Sequence, residues 1–325
     1  MLVYLIRRLG QSLLVIAAMA TLVFLALYLL GDPVDILANP DADQAERAAI
    51  AARLGLDRPL YEQFGRFAWA ALQGDLGRSF VYNVSAVEVI LQRMPATLEL
   101  AFVGLAFSIL IGLPLGVLAG LKPHSFAGRA IMSGSILGFS LPNFWIGLML
   151  VLLFAVELKL LPASGRGTTT EFLGVPLAIF SVDGWRHLIL PAITLALYKS
   201  ALIVRIAQAG TREVMMQDYI RFARAKGLGW RRIVGVHVLK NIMIPVVTVL
   251  GLELGSMIAF AVVTETVFAY PGMGKLLIDS INRLDRPIIV AYLMLTVLIF
   301  VVINLVVDLL YAAIDPRVRL ADAKG

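Results

Sequence analysis

The chain has 325 residues, 60% of them hydrophobic and only 15% charged, with a mean hydropathy of +0.87 and a formal net charge of +6. Soluble domains run nearer half apolar and a quarter charged, so the composition excludes an ordinary water-soluble protein and indicates an integral membrane protein. Cysteine is absent and histidine occurs three times, which excludes disulfides and a cysteine nucleophile and leaves little material for a metal centre.

Crossing the hydrocarbon core takes ~20 apolar residues of helix. Six stretches meet that length: Leu9–Leu30, Leu100–Leu121, Ile131–Val156, Leu188–Ala207, Ile242–Phe268 and Pro287–Tyr311. The reading is therefore an all-α integral membrane protein of six transmembrane helices, with an external segment between the first two. The first three stretches carry no charge, the fourth holds Lys199 and Arg205, the fifth Glu253 and Glu265, and the sixth Asp308. A further apolar patch, Phe172–Val182, is too short to span, contains Gly174 and Pro176, and reads as interfacial or as loop.

Basic residues in the short connections set the orientation. Arg7 and Arg8 precede the first span, Lys122 and Arg129 lie between the second and third, and seven basic residues lie between the fourth and fifth. The expected division is 1–30 for a cytoplasmic N-terminus and first helix and 31–97 for an external segment. Residues 98–312 form a transmembrane region of five further helices, with a cytoplasmic segment at 211–240, and 313–325 a cytoplasmic tail. The basic excess is thus a topology signal, and nucleic acid is not an expected partner. The first span is too long for an ordinary signal peptide, and no small-x-small cleavage site precedes Gly31-Asp32-Pro33, so it reads as a retained helix.

Within the external segment, Asp43–Leu54 is helix-prone, and from Arg58 to Leu72 the residues Leu60, Phe64, Phe67, Ala68, Ala71 and Leu72 recur at helical spacing. Glu62 and Arg66 fall on the wet side, and Gly74-Asp75-Leu76-Gly77 breaks the helix. A folded cap on the membrane surface and a role in gating or receiving substrate both fit. In the second span Gly104, Ser108, Gly112, Gly116 and Gly120 form a small-residue face, the pattern that lets membrane helices approach closely. Pro114, Pro142, Pro191 and Pro245 imply kinks in or near spans.

No P-loop, HExxH or Gly-x-Ser-x-Gly string occurs. The nearest phosphate-loop look-alike, PGMGKLL at 271–277, has the wrong spacing. His124, His187 and His237 lie at or beyond span ends. No catalytic residue and no metal ligand is assigned.

The most informative stretch is QDYIRFARAKGLGWRRIVGVHVLKNIMIP at 217–245. Asp218–Lys226 is helix-capable, Gly227 and Gly229 interrupt it, and Trp230–Leu239 can form a second short helix. Two short helices meeting at a glycine make a basic knob suited to a groove on another protein. A basic loop serving topology alone would not need Ala223, Ala225 and Gly227 in that order.

Here the sequence resembles the inner-membrane permease subunits of ABC importers, in particular the dipeptide/oligopeptide (peptide/nickel) class. ARAKGL at 223–228 matches the core of that class's cytoplasmic coupling segment. With the glycine of the broader pattern E-A-A-x3-G-x9-I-x-L-P placed on Gly227, the glutamate, one alanine, the isoleucine and the proline are missing, which the peptide class shares. LGLDRPL (54–60), GDLGRS (74–79), RMPATLEL (93–100), SLPNFW (140–145), LLPASG (160–165), LILPAITLAL (188–197), ETVFAYPGMGKLL (265–277) and DPRVRL (315–320) extend the resemblance along nearly the whole chain.

The resemblance implies a multi-pass subunit of a bacterial inner membrane with both termini cytoplasmic. It implies a homologous second permease subunit, two ATPase subunits, an external substrate-binding protein and a peptide substrate as partners, besides membrane lipid. ATP and Mg would bind on the ATPase subunits and no cofactor on this chain. Arg221, Ala223, Arg224, Ala225, Lys226, Gly227 and Leu228 would couple to an ATPase subunit. Related permeases handle dipeptides, longer peptides, glutathione or nickel complexes.

Charges inside spans are functional candidates because they are costly in lipid. Glu253, Ser256, Phe260 and Thr264 form a stripe at three- and four-residue steps, with Lys199 at similar depth in the fourth span, and these five are the translocation-pathway candidates. A structural Lys199–Glu253 pair and a substrate contact both remain open. Arg205 and Asp308 lie close to cytoplasmic ends and fit snorkelling, and Asn143 and Asn304 fit bonds between helices. A stand-alone secondary transporter would need coupling acids and internal repeats, and it would leave the coupling segment without a purpose.

Overall fold

The computed structural model describes residues 2–29, 34 and 43–314. The Gly31-Asp32-Pro33 junction and the tail with Arg317, Arg319, Lys324 and DPRVRL lie outside the described residues. Among the described residues the secondary structure is helical apart from one small hairpin. Five helices are long and apolar enough to cross a membrane, and there are six if one bent pair counts as a single span. The chain divides into two compact units, Met1–Met94 with Leu276–Val301, and Pro95–Lys275 with Val302–Gly325.

In the first unit, α1 (Leu2–Leu29) packs its Phe24 ring against Phe64 and Phe67 of α3 (Leu60–Leu72), at centroid distances of 5.3 and 5.8 Å. Between them α2 (Gln44–Leu54) starts where the Asp43 carboxylate accepts the Glu46 N–H at 2.7 Å, and it stops at Gly55 with φ +70°. Both of these helices thus fall where helical spacing placed them. Leu60 and Leu72, though, stay exposed, because one partner helix covers only part of the apolar arc. The loop after α3 is tied to the start of the last helix, α11 (Arg286–Ile314). The buried Asp285 carboxylate accepts the Ser79 hydroxyl and the N–H groups of Phe80 (3.1 Å) and Val81 (3.3 Å).

The second unit is organised by α4 (Ala86–Leu121), which continues into it from the first, and α7 (Val182–Met215). Ser108 donates from one helix to the Ala196 carbonyl of the other at 3.2 Å. The small-residue face of α4 meets α7 along its length. A Cβ on Gly112 would fall 2.8 Å from Ile203 Cβ, on Gly116 2.6 Å from Ala207 Cβ, and on Gly120 2.6 Å from Thr211 Cβ. Real carbon contacts need more than 3 Å, so only glycine permits this approach.

The expected third span is not one straight helix. It is α5 (Phe126–Ser140) followed by α6 (Asn143–Leu150), which runs on as a π-helical stretch Val151–Glu157, and the two limbs meet at 103°. Proline disfavours helical geometry in the residue before it, and Leu141 is accordingly extended, with φ −82° and ψ 136°, ahead of Pro142. The apolar patch at 172–182 becomes the second strand of a hairpin, β1 (Thr170–Phe172) with β2 (Val175–Leu177), then a turn and the start of α7.

After α7 comes α8 (Asp218–Ala225). The expected second short helix at Trp230–Leu239 is not separate. A turn at Trp230–Arg232 and a π-helical stretch Ile233–Val238 run directly into α9 (Leu239–Val267), because Gly235 sits inside the stretch without ending it and neither glycine nor proline follows Leu239 before Pro245. Then α10 (Met273–Asn282) leads to α11.

Gly116→Leu is expected to destabilise the detergent-solubilised protein by about 1–3 kcal/mol through overpacking of the α4–α7 seam. Gly138→Ala, where an added Cβ meets nothing within 4 Å, should be neutral or raise stability slightly. Thermal midpoints of the two variants check this, and equal midpoints would refute the seam as a packing constraint.

Candidate coupling segment and buried charge pair

Helix α8 buries one side and presents the other. Ile220 (0% exposed) and Ala223 turn inward, and Ile220 joins Val117 of α4, Ala207 and Val214 of α7 and Ile233, Val238 and Ile242 in one apolar cluster. Leu228 packs against the edge of that cluster. Of the predicted coupling residues, Ala223 and Leu228 thus anchor the segment, whereas Arg221, Arg224, Ala225, Lys226 and Gly227 are exposed. Arg221 pairs with Asp218 at 3.3 Å on an open surface, where such a pair contributes little. Arg224 lies 5.7 Å from the Trp230 ring centroid and Lys226 4.5 Å from that of Phe222. The exposed face is therefore basic and aromatic together.

Gly227 ends α8 in the left-handed region, with φ +75°. Its N–H donates to the Arg224 carbonyl (2.9 Å), and the Leu228 N–H donates to that of Ala223 (3.1 Å). This is a Schellman closure, which positions Leu228 to return to the cluster.

The intramembrane charges meet in the second unit. The Lys199 ammonium lies 2.5 Å from the Glu253 carboxylate and donates to the Ser256 hydroxyl at 2.7 Å, and that hydroxyl donates in turn to Glu253 at 3.1 Å. The side chains of Lys199 and Glu253 are 13% and 16% exposed. Lys199 also lies over the Tyr198 ring, Tyr198 stacks on Phe139 of α5 at 5.3 Å, and the Arg205 guanidinium covers the Phe139 ring at 5.4 Å. The rest of the predicted stripe diverges. Phe260 points outward at 67% exposure, whereas Thr264 is buried and accepts the Asn143 amide at 3.0 Å. Among the described residues no three His, Asp or Glu side chains cluster to hold a metal ion.

For two buried acids the partners escape sequence reasoning, although Glu265 itself is legible as a charge in the fifth span. Glu265 accepts the Thr97 hydroxyl at 2.6 Å and the Lys275 N–H at 2.9 Å, and Thr97 accepts the Met273 N–H at 2.8 Å. A side chain on Gly272 would collide with the Glu265 carboxylate. The Pro-Gly-Met-Gly run after Glu265 is the available signal, since glycines beside a buried acid allow backbone N–H groups to approach it. Glu99 pairs with Arg166 at 2.8 Å and accepts the Ile179 N–H at 2.8 Å and the Tyr270 hydroxyl at 3.3 Å. Burial, and then the Glu99 charge, push the Tyr270 phenol above its ordinary pKa. Tyr270 therefore stays a neutral donor. Nothing local in the sequence links positions 99, 166 and 270.

Residues 112–320 match the family model described as a binding-protein-dependent transport system inner membrane component, and residues 1–101 match the companion N-terminal model. The dipeptide transport system permease protein DppB of Escherichia coli K12 is 39% identical over 98% of this chain and 99% of its own length. The di/tripeptide permease DppB of Pseudomonas aeruginosa is 39% identical with the same coverage. The glutathione permease GsiC of Escherichia coli K12 is 38% identical over 98% of this chain and 99% of its own. Among solved structures, an inward-facing MetNI methionine ABC transporter matches with a TM-score of 0.55 and 17% identity, over 70% of this chain and 96% of that one. That likeness concerns the fold.

Lys199→Met and Glu253→Gln are each expected to lower the thermal midpoint, because either leaves a charge without its partner. The double variant should recover part of the loss. A double-mutant cycle on unfolding should return a coupling energy of about 1–3 kcal/mol, and strictly additive losses would refute an energetic pair.

Proposed function

Since the chain belongs to the binding-protein-dependent transport system inner membrane components, the permease subunits of ABC importers, we propose that it forms half of a translocation pathway for di- and oligopeptides. As a permease of the peptide and glutathione branch it does not itself hydrolyse ATP, and it works with ATPase subunits and a substrate-binding protein. The observation that carries the peptide reading is full-length identity of 39% to two permeases whose names specify di- or tripeptides. The glutathione permease stands one point lower, so glutathione is the second reading.

In the proposed assembly a homologous second permease completes the pathway and ATP with Mg binds the partner ATPase subunits. Both termini and α8 lie in the cytoplasm. The exposed face of α8, with Arg221, Phe222, Arg224 and Lys226, docks an ATPase subunit. ATP binding there moves α8, and the cluster around Ile220 and Ile233 carries the motion to α4 and α7. The chain thus contributes two pore conformations whose balance the partners bias.

Uptake by the whole assembly in proteoliposomes tests the substrate. Labelled di-alanine is expected to accumulate with ATP and binding protein present, and glutathione to compete weakly. Glutathione uptake without dipeptide uptake would transfer the assignment to the second reading.

Gly227→Val is expected to uncouple uptake from ATP hydrolysis. An L side chain in left-handed geometry costs about 1–2 kcal/mol, although nothing lies within 4 Å of the added Cβ. The strain would therefore distort the closure of α8 rather than clash. Normal uptake with normal ATPase stimulation would refute this role, and outside labelling of Gln217→Cys in intact cells would refute the orientation on which it rests.

A further inference from the structure

Resting on that peptide reading, we propose that Glu253 and Arg205 form a recognition site for the two charged ends of a zwitterionic di- or tripeptide, with Lys199 standing in for the peptide's ammonium while the site is empty. Around α7 and its neighbours runs a continuous series of contacts, in which Tyr198 and Arg205, seven positions apart, share a face and Lys199 lies on the adjacent one. Arg205 covers Phe139, Phe139 stacks on Tyr198, Lys199 lies over Tyr198, and Lys199 meets Glu253 and Ser256. The series holds two cations and one acid. Arg205 is exposed, and among the described residues no carboxylate pairs with it. Close to the cytoplasmic end of its span, the Arg205 guanidinium can reach water by snorkelling and leaves its planar fork open. An anion can therefore take the place of that water.

The chemistry of the series is that of a short peptide in mirror image. Lys199 carries a primary ammonium, the same group as a free peptide N-terminus. Glu253 with the Ser256 hydroxyl therefore already forms the set of acceptors that such a terminus needs. Arg205 offers a planar fork to a terminal carboxylate. It lies six positions beyond Lys199 on α7, an axial rise of about 9 Å with a turn of about 120° around the helix, which the long side chains of both residues must span. An extended di- or tripeptide spans about 7–11 Å. The Phe139–Tyr198 stack between the two ends is an apolar wall for the body of the peptide.

Exchange explains why the acid is paired at rest. A bare Glu253 at this depth would be costly, and a permanently locked pair would exclude substrate. An incoming zwitterion brings one charge of each sign. Its ammonium takes the place of Lys199 on Glu253, and its carboxylate is shared by Arg205 and the released Lys199. No charge is left without a partner, so a charged solute passes without a net charge being moved into low dielectric.

The test uses the permease–ATPase assembly in nanodiscs with the binding protein withheld, so that only the pathway can select. Labelled di-alanine and its N-acetyl and C-amide forms are compared by saturation-transfer NMR. The zwitterion is expected to bind about tenfold tighter than either blocked form, the loss that follows when one charge-assisted bond is removed. Glu253→Gln should abolish the preference for a free amine and Arg205→Gln the preference for a free acid. Glu253→Asp and Arg205→Lys should retain them. Lys199→Met should strengthen binding of the free-amine forms by removing the internal competitor, an outcome that a purely structural pair does not produce. Equal binding of the three forms by the unmodified assembly would overturn the proposal, as would variants that weaken all three by one factor. Dipeptide uptake by the full importer together with such equal binding would defeat this inference alone, whereas absence of dipeptide uptake would defeat the peptide reading beneath it.

Discussion

Hydrocarbon supplies neither a counter-ion nor a hydrogen-bond donor, and the placement of the buried acids follows from that constraint. Glu253 is answered by Lys199 and Ser256, Glu99 by Arg166, Tyr270 and a backbone amide, and Glu265 by Thr97 and a backbone amide. Asp285, in the other unit, takes Ser79 and two backbone amides. Each acid therefore joins segments distant in sequence, and its removal would free several donors at once. Glu265, in the last turn of α9, and Asp285, in the turn before α11, rely on neutral donors. Glu99 and Glu253 each take a full positive charge.

Close approach of α4 and α7 is the second requirement, since it brings the elements around α7 within reach of one another. Glycine at 112, 116 and 120 removes the side chains that would hold the helices apart. The same α4 and α7 supply Val117, Ala207 and Val214 to the cluster that receives Ile220 and Ile233. An external load on α8 therefore presses on close-packed residues of both helices rather than on a soft loop, and packed interiors transmit such displacements.

The broken third span serves the charged series. Leu141 and Pro142 end α5 just after Phe139, so this ring can lie on Tyr198 and under Arg205 while α6 departs in a different direction. A straight helix through 131–156 would continue past α7 along a single axis. The bend thus separates an aromatic wall from an apolar limb within one hydrophobic stretch.

Much of the architecture is legible in the linear chain. The length and purity of the apolar runs identify the membrane helices, since a span must satisfy its own backbone bonds and expose apolar side chains. The glycine repeat of α4 predicts a close helix contact, and the string ARAKGL places Gly227 at a turn, where φ is indeed positive. Depth counting along two helices also puts Lys199 level with Glu253, because helical rise is uniform. What the linear chain does not decide is partnership across long separations. Glu99 with Arg166 and Tyr270, Glu265 with Thr97, and Asp285 with Ser79 depend on which helix ends the tertiary fold brings together. The division of the fifth-span stripe into a paired Glu253, an outward Phe260 and a buried Thr264 is equally a matter of neighbours. Periodicity tells which residues share a face of a helix, but only packing decides what that face meets.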